Sequence, residues 1–365
     1  MIYSIFGVKD ATLYDQYPSL NTGLDAVLEI NKSSTVSGST TVYYNSRIVV
    51  KFDLTNFTNN FTNAILTQTA SYYLRLTATE PSEIPTSYDL YAYPISQSWN
   101  MGTGRYTTAV TSSDGVSWNY RLTSANTASA WLTSSFANGT TGSWATRGGG
   151  GTWFTASAHS QSFDYQTTDV LMDVTTAVRQ WIANTRANEG FIIKKSDTDE
   201  QSSNTFNSLR FFSKDTHTVY GPRLEMRYDD STYLTSSTLV DYTDEVTVNL
   251  SNIQPEYAEG SKARVNVSAR PKYPDRTFAT MSYYYDTYRL PSSSFYSVRD
   301  AHTSDVIIPF DETNTKISAD NNGSYFVLNF NGLAPERYYR LLIKSKTSSA
   351  EEYIYDRNWI FKVVR

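Results

Sequence analysis

Four tryptophans, Trp118, Trp131, Trp144 and Trp153, lie between Met101 and Gln166 in a stretch rich in Ser, Thr and Gly. An exposed indole is the widest apolar platform a side chain offers, and the C–H face of a sugar ring stacks on it. Their polar, non-alternating surroundings favour exposure, which makes these four the candidate ligand or interface contacts. The competing reading, which is preferred, packs them on one another or on a neighbouring subunit.

Residue types that support turnover are scattered. Histidine occurs only at His159, His217 and His302, with no close-spaced metal pair and no nucleophile elbow. All three read as surface or loop residues. The chain contains no cysteine, which excludes disulfides, thiolate zinc sites and a cysteine nucleophile. Asp10, Asp15 and Asp25 carry the oxygens calcium prefers, but no close run of ligands forms a dedicated loop. No cofactor is therefore expected, calcium being the one left open, and no metal or catalytic residue is assigned. A polysaccharide-cleaving enzyme needs two carboxylates roughly 5–10 Å apart in a groove, and the sequence nominates no such pair. The run Gly148-Gly149-Gly150-Gly151 lacks the Lys-Ser/Thr of a phosphate loop and reads as a flexible hinge or loop tip.

Strands must position whatever these residues do. The 29 tyrosines and 17 phenylalanines suit a pleated, half-buried face. Period-two alternation runs through Ser71–Thr77, Tyr88–Tyr93 and Ala263–Arg270. Ser46–Leu54 reads as a strand buried on both faces in its middle, and further strands are expected at Gly190–Lys194, Leu209–Phe212, Arg223–Tyr228, Ser324–Phe330, Arg337–Lys344 and Trp359–Val364. One helix interrupts them. Asp173 precedes Val174, Ala177, Val178, Trp181 and Ile182, an apolar stripe at helical spacing with Trp181 as its plug. The fold class is all-β: a jelly-roll β-sandwich with one short helix over residues 1–230, a linker at 231–242, and an immunoglobulin- or fibronectin-like β-sandwich over 243–365.

The net charge of −5 and pI near 5.3, without a basic run, leave no footprint for nucleic acid. No apolar run approaches the roughly 18 residues of a membrane helix, so no membrane insertion is expected. Met1–Asp10 enters strand-like sequence directly, which predicts synthesis in the cytoplasm without a signal peptide.

The first segment resembles the DNRLRE-type domain, a jelly roll related to carbohydrate-binding modules. The matching residues are Asp10-Ala11-Thr12-Leu13-Tyr14, Tyr17-Pro18, Asn21-Thr22-Gly23, Ser46 through Leu54, Ser98-Trp99, Asp173-Val174-Thr175 with Val178 and Trp181, Gly190 through Lys194, Phe211-Phe212-Ser213, and Gly221-Pro222-Arg223-Leu224 through Tyr228. The resemblance implies a core role for Trp99 and Trp181. The sequence departs from the family in its long glycine-rich insertion and in having no export signal.

A cysteine-free, Tyr- and Ser/Thr-rich all-β chain of this kind is also similar, at the level of class, to virion structural proteins of tailed bacteriophages. The resemblance implies a non-enzymatic tail, baseplate, neck or fibre-type component, made in the host cytoplasm and located in the virion. Its partners would be other virion proteins and itself, as a homo-oligomer, with host-surface polysaccharide as a further partner. The alternative is a carbohydrate-binding module of a cell-surface or secreted protein.

Overall fold

Strand Ser71–Leu76 buries alternate residues, and Val170–Asp173 does the same; Val170 faces Leu76 and Met172 faces Leu74 across the pair. Directly opposed residues share a face of the sheet, so these pairs turn one apolar wall inward. This pattern, repeated, makes about half the chain strand and little of it helix. A computed structural model describes residues 1–79, 87–106, 114–124, 127–132, 140–141, 149–163, 169–234, 246–272, 288–346 and 352–365. The chain divides into two compact units, Ile5–Glu225, and Met1–Ser4 with Met226–Arg365.

The first unit is built from β1 (Ile2–Tyr14), β2 (Val27–Ser37), β3 (Thr40–Phe52), β4 (Ser71–Leu76), β5 (Tyr88–Pro94), β6 (Tyr120–Ser124), β7 (Thr127–Ala130), β8 (Thr140–Thr141), β9 (Trp153–Phe154), β10 (His159–Phe163), β11 (Val170–Asp173), β12 (Phe191–Lys195), β13 (Phe206–Phe212) and β14 (Arg223–Arg227). Eight of them follow the order β10-β5-β12-β3-β1-β14-β4-β11 in a nearly closed antiparallel sheet, with β2 and β13 branching from β3. Side chains bridge the remaining gap. Gln161 Nε2 donates to the Asp169 carbonyl (2.9 Å), and its Oε1 accepts the Leu171 N–H (2.7 Å). His159, two residues earlier, is hydrogen-bonded to the Asp173 backbone, and burial lowers its pKa. It is therefore a half-buried strand residue rather than a loop histidine, whereas His217 and His302 are exposed.

Helix α1 (Thr55–Asn60) follows β3, and α2 (Thr175–Ile182) follows β11. Asp173 Oδ1 accepts the Thr175 N–H at the entry to α2 (2.8 Å). Trp181 is buried and packs on Phe191 with ring centroids 4.6 Å apart.

The second unit comprises β15 (Val246–Ser251), β16 (Glu256–Ala258), β17 (Lys262–Pro271), β18 (Ser294–Asp300), β19 (Val306–Ile308), β20 (Ser318–Asp320), β21 (Gly323–Asn329), β22 (Arg337–Lys346) and β23 (Glu352–Val364). These form a sheet β15-β17-β21-β20 and a sheet β16-β23-β22-β18-β19. Their inner faces meet through aromatic stacking, such as Tyr296 on Phe326 at 4.5 Å.

Two boundary expectations change. Met1–Ser4 joins this unit, where the Met1 ammonium meets Asp230 at 2.7 Å. Part of the expected linker, 231–242, is an edge of the unit: Ala319 N–H donates to Thr232 O (2.9 Å) and Leu234 N–H to Ala319 O (3.0 Å). A polar run can still pair its backbone, and composition does not register that. Residues 235–242 lie outside the described residues.

Candidate functional site

The tryptophans do not form a surface platform. Trp118 and Trp131 are 2% exposed and Trp153 is 5% exposed, and all three pack with Trp99 against Leu13, Val49 and Ile192. Their polar neighbourhood favoured exposure, while the preferred reading packed them on one another or on a neighbouring subunit; the insertion folds back and buries Trp118, Trp131 and Trp153 within the unit, and Trp144 lies outside the described residues. The Trp131 indole is served internally, its Nε1 donating to Ser117 O (3.0 Å).

At the rim of this cluster is a buried electrostatic knot. The Arg47 guanidinium lies 4.7 Å from the Trp118 ring and 5.1 Å from the Trp153 ring. Its Nε and Nη2 grip both oxygens of Glu200, at 3.0 and 2.8 Å, and Nη1 donates to Gly150 O at 2.6 Å. Glu200 also meets Lys194 at 3.1 Å. It is carried on α3 (Asp197–Gln201), whose entry is capped by Ser196 Oγ accepting the Asp199 N–H (3.0 Å). Lys32 Nζ donates to the Asp199 carbonyl at the far end (2.5 Å), where a cation suits the helix dipole.

Gly149, Gly150 and Gly151 are part of this packing rather than a hinge, and Gly148 lies outside the described residues. Gly150 has φ +79°, and a Cβ there would lie 2.6 Å from Arg47 Nη1 and 2.8 Å from the Trp118 ring. Only a residue without a side chain lets the backbone approach that closely.

A second knot ties the insertion to the Asn21-Thr22-Gly23 turn. Asn21 is fully buried and its amide is saturated. Nδ2 donates to Met101 O and Val116 O, both at 2.7 Å, while Oδ1 accepts from Gly104 N (2.7 Å) and Gly23 N (3.3 Å). Gly115, at φ +87°, presses so close that a Cβ would lie 2.5 Å from Asn21 Nδ2. Thr22 Oγ1 exchanges hydrogen bonds with both backbone groups of Thr12, at 2.9 and 2.7 Å.

These constraints place Tyr106 at an open cleft of about 510 Å³ lined by Tyr14, Asp25, Ala26, Val27, Glu29, Asn31, Tyr106 and Arg210. Tyr106 is 46% exposed. Its ring is propped by Tyr14 (centroids 5.1 Å apart) and Tyr17 (5.8 Å, edge-on). Its N–H donates to both oxygens of Asp25, at 3.0 and 3.3 Å. Burial raises the Asp25 pKa, and burial followed by the hydrogen bond to Tyr17 raises that of Tyr106. On the opposite wall Glu29 accepts from Tyr14 Oη (2.9 Å), Arg210 Nε (3.3 Å) and Ser208 Oγ. Burial, then the neighbouring Glu29, raises the Tyr14 pKa.

The cleft thus offers a pre-positioned aromatic face, carboxylate oxygens, a guanidinium and the Asn31 amide. That set suits a polyhydroxylated ring. Asp25 and Glu29 line one groove, yet the oxygens of both already accept from donors of the cleft wall. They therefore hold Tyr106, Tyr14 and Arg210 in place. Asp10 and Asp25, considered above for calcium, have separate tasks: Asp10 accepts the Lys214 N–H (2.6 Å) and Asp25 holds Tyr106. Among the described residues no three His, Asp or Glu side chains converge as a metal site. Tyr106 escaped the sequence reading, and its one local signal is an aromatic directly after Gly104-Arg105 in a polar insertion.

No family model matches the chain, and no curated protein matches it. Among solved structures it is similar to a DUF4785 family protein from Legionella pneumophila, with 7% identity and a TM-score of 0.21, covering 100% of this chain and 62% of that one. It is also similar to a β-1,2-glucanase from Parabacteroides distasonis, with 6% identity and a TM-score of 0.19, covering 98% of this chain and 37% of that one. The chain spans less than two thirds of either protein, and likenesses this weak carry no argument about function.

Proposed function

We propose that this chain is a non-enzymatic structural protein of a virion, of the tail, baseplate, neck or fibre type, that acts by assembly and by adhesion to host-surface polysaccharide. In this reading Ile5–Glu225 is a DNRLRE-type jelly roll and the C-terminal unit an immunoglobulin-like sandwich. The observation that carries the adhesive part is the Tyr106 cleft. A half-exposed aromatic ring fixed by two other tyrosines and a carboxylate is preorganised, so little ordering cost opposes binding. The assembly part is supported by the ribbon formed by β2 and β3. From Ser33 to Ser37 and Thr40 to Tyr44 these strands pair with each other, and most of those residues are exposed. Such open edges can accept strands from neighbouring copies.

Binding of the purified chain to an array of bacterial surface polysaccharides tests the adhesive part. Tyr106→Ala is expected to weaken a bound neutral glycan about five- to thirtyfold, with the unfolding midpoint unchanged, because a stacking platform contributes on the order of 1–2 kcal/mol. Undiminished binding by the variant would remove the cleft from the proposal.

A further inference from the structure

Between Lys32 and Arg47 the sequence holds no charged residue and no proline, although 18% of the chain is charged. Ser33-Ser34-Thr35-Val36-Ser37 and Thr40-Thr41-Val42-Tyr43-Tyr44 flank Gly38-Ser39, and their Thr, Val and Tyr residues favour strands. Gly38, at φ +64°, turns the chain in a two-residue loop, and a Cβ there would meet nothing within 4 Å. The resulting ribbon pairs in unbroken register from Lys32–Asn45 to Ser37–Thr40. It outruns the rest of its sheet. β13 reaches β2 only as far as Lys32, which faces Phe206, and β1 reaches β3 only as far as Ser46. Among the described residues, therefore, no strand pairs with the outer edge of Ser33–Ser37. Ser34 to Ser37 are exposed, and Val36 reaches 69% exposure.

Proteins guard such an edge with lysine, proline, a bulge or a covering segment. Along Ser33–Ser37 there is no lysine, no proline and no slip of register. The edge is built to take a strand, and its charge pattern says which one. A two-fold contact sets each residue against its own kind, so a charge near the axis would meet its like and repel it. A different protein imposes no such condition, and charge would then serve to select it. Here the neutral run ends only at Lys32 and Arg47, both buried at the base of the ribbon. Lys32 donates there to the Asp199 carbonyl and Arg47 to Glu200.

We infer that β2 pairs antiparallel with β2 of a second copy of this chain, about a two-fold axis at Thr35. This rests on the assembly reading above and names the partner. The register centred on Thr35 is the one that uses all of Ser33–Ser37. Thr35 then faces its own copy, Ser33 faces the partner's Ser37, and Ser34 faces the partner's Val36. Threonine pairs are favourable directly across a sheet. Within each ribbon Thr35 faces Val42, so the central row of the joined sheet reads Val-Thr-Thr-Val. On the other face Ser34 stands opposite Tyr43, which gives Val36 of the second copy an apolar neighbour one strand away. The contact is short, so association in solution is expected to be modest and concentration-dependent.

The chain contains no cysteine, which makes a single introduced thiol diagnostic. Thr35→Cys should give a disulfide-linked dimer under mild oxidation, because opposed residues bring their Cα atoms to about 5 Å. Ser37→Cys should not, since that residue and its copy would lie about 14 Å apart along the paired strands. Thr35→Lys and Thr35→Glu, at an exposed position, should each leave the circular dichroism spectrum unchanged. Each alone should weaken dimerisation of the whole chain roughly tenfold or more in sedimentation equilibrium, and an equimolar mixture of the two should restore it. Dimerisation that survives both charge variants, a mixture that fails to restore it, or equal crosslinking by Ser37→Cys would overturn this pairing while leaving assembly through another surface in place. An unmodified chain that stays monomeric at every concentration would overturn it as well, and capture of that monomer by virion proteins would leave the virion reading standing.

Discussion

Glu200→Gln is expected to destabilise the Ile5–Glu225 unit by about 3–5 kcal/mol, the usual cost of removing one partner of a buried ion pair. The Glu200 side chain is 1% exposed, and its two oxygens hold the Arg47 fork at 3.0 and 2.8 Å. Glutamine keeps the shape and removes the charge, leaving the guanidinium desolvated between Trp118 and Trp153 without the carboxylate it is built around. Urea unfolding should show a lower midpoint at unchanged slope. Replacing the buried set together, Arg47→Met, Lys194→Met and Glu200→Leu, should recover much of the loss, since an apolar replacement of a buried ion cluster is often neutral. A shift below about 1 kcal/mol, the range of surface pairs, would mean the pair is effectively solvated and the knot is not what closes the insertion.

Asn21→Asp should be nearly as damaging, and it links stability to the cleft. The change replaces two donors with an oxygen facing the Met101 and Val116 carbonyls, each 2.7 Å from Nδ2. Each buried polar group left unpaired costs roughly 1–3 kcal/mol, so a loss on the order of 3–4 kcal/mol is expected. The lost contact to Met101 O lies five residues before Tyr106, so the freed segment should also lose its aromatic platform. Thermal unfolding and glycan titration on one preparation would check both effects. Lowered stability with intact binding would detach Asn21 from the site.

Much of the scaffold was legible because its burial is periodic. The apolar stripe from Val174 to Ile182 became α2, and Ser46–Leu54 falls largely within β3, whose middle is buried as read. Where position depends on distant closure, periodicity is silent. Trp118, Trp131 and Trp153 sit among polar residues in sequence and are buried only because the insertion folds over Arg47. Gly150 reads as slack until the Trp118 ring fills the place of its missing side chain. Asn21 was visible as part of a turn motif, but its partners lie 80 to 95 residues away. Tyr106 was missed for the same reason, because it is aimed by a remote carboxylate.

The measurement closest to the central claim is the mass of the purified chain in solution by light scattering, alone and with the virion proteins it is proposed to join. A defined homo-oligomer, or a stable complex with those proteins, is the predicted result. A monomer that joins no particle protein yet still binds polysaccharide through Tyr106 would contradict a role in the virion. It would leave a carbohydrate-binding module of a cell-surface or secreted protein in its place.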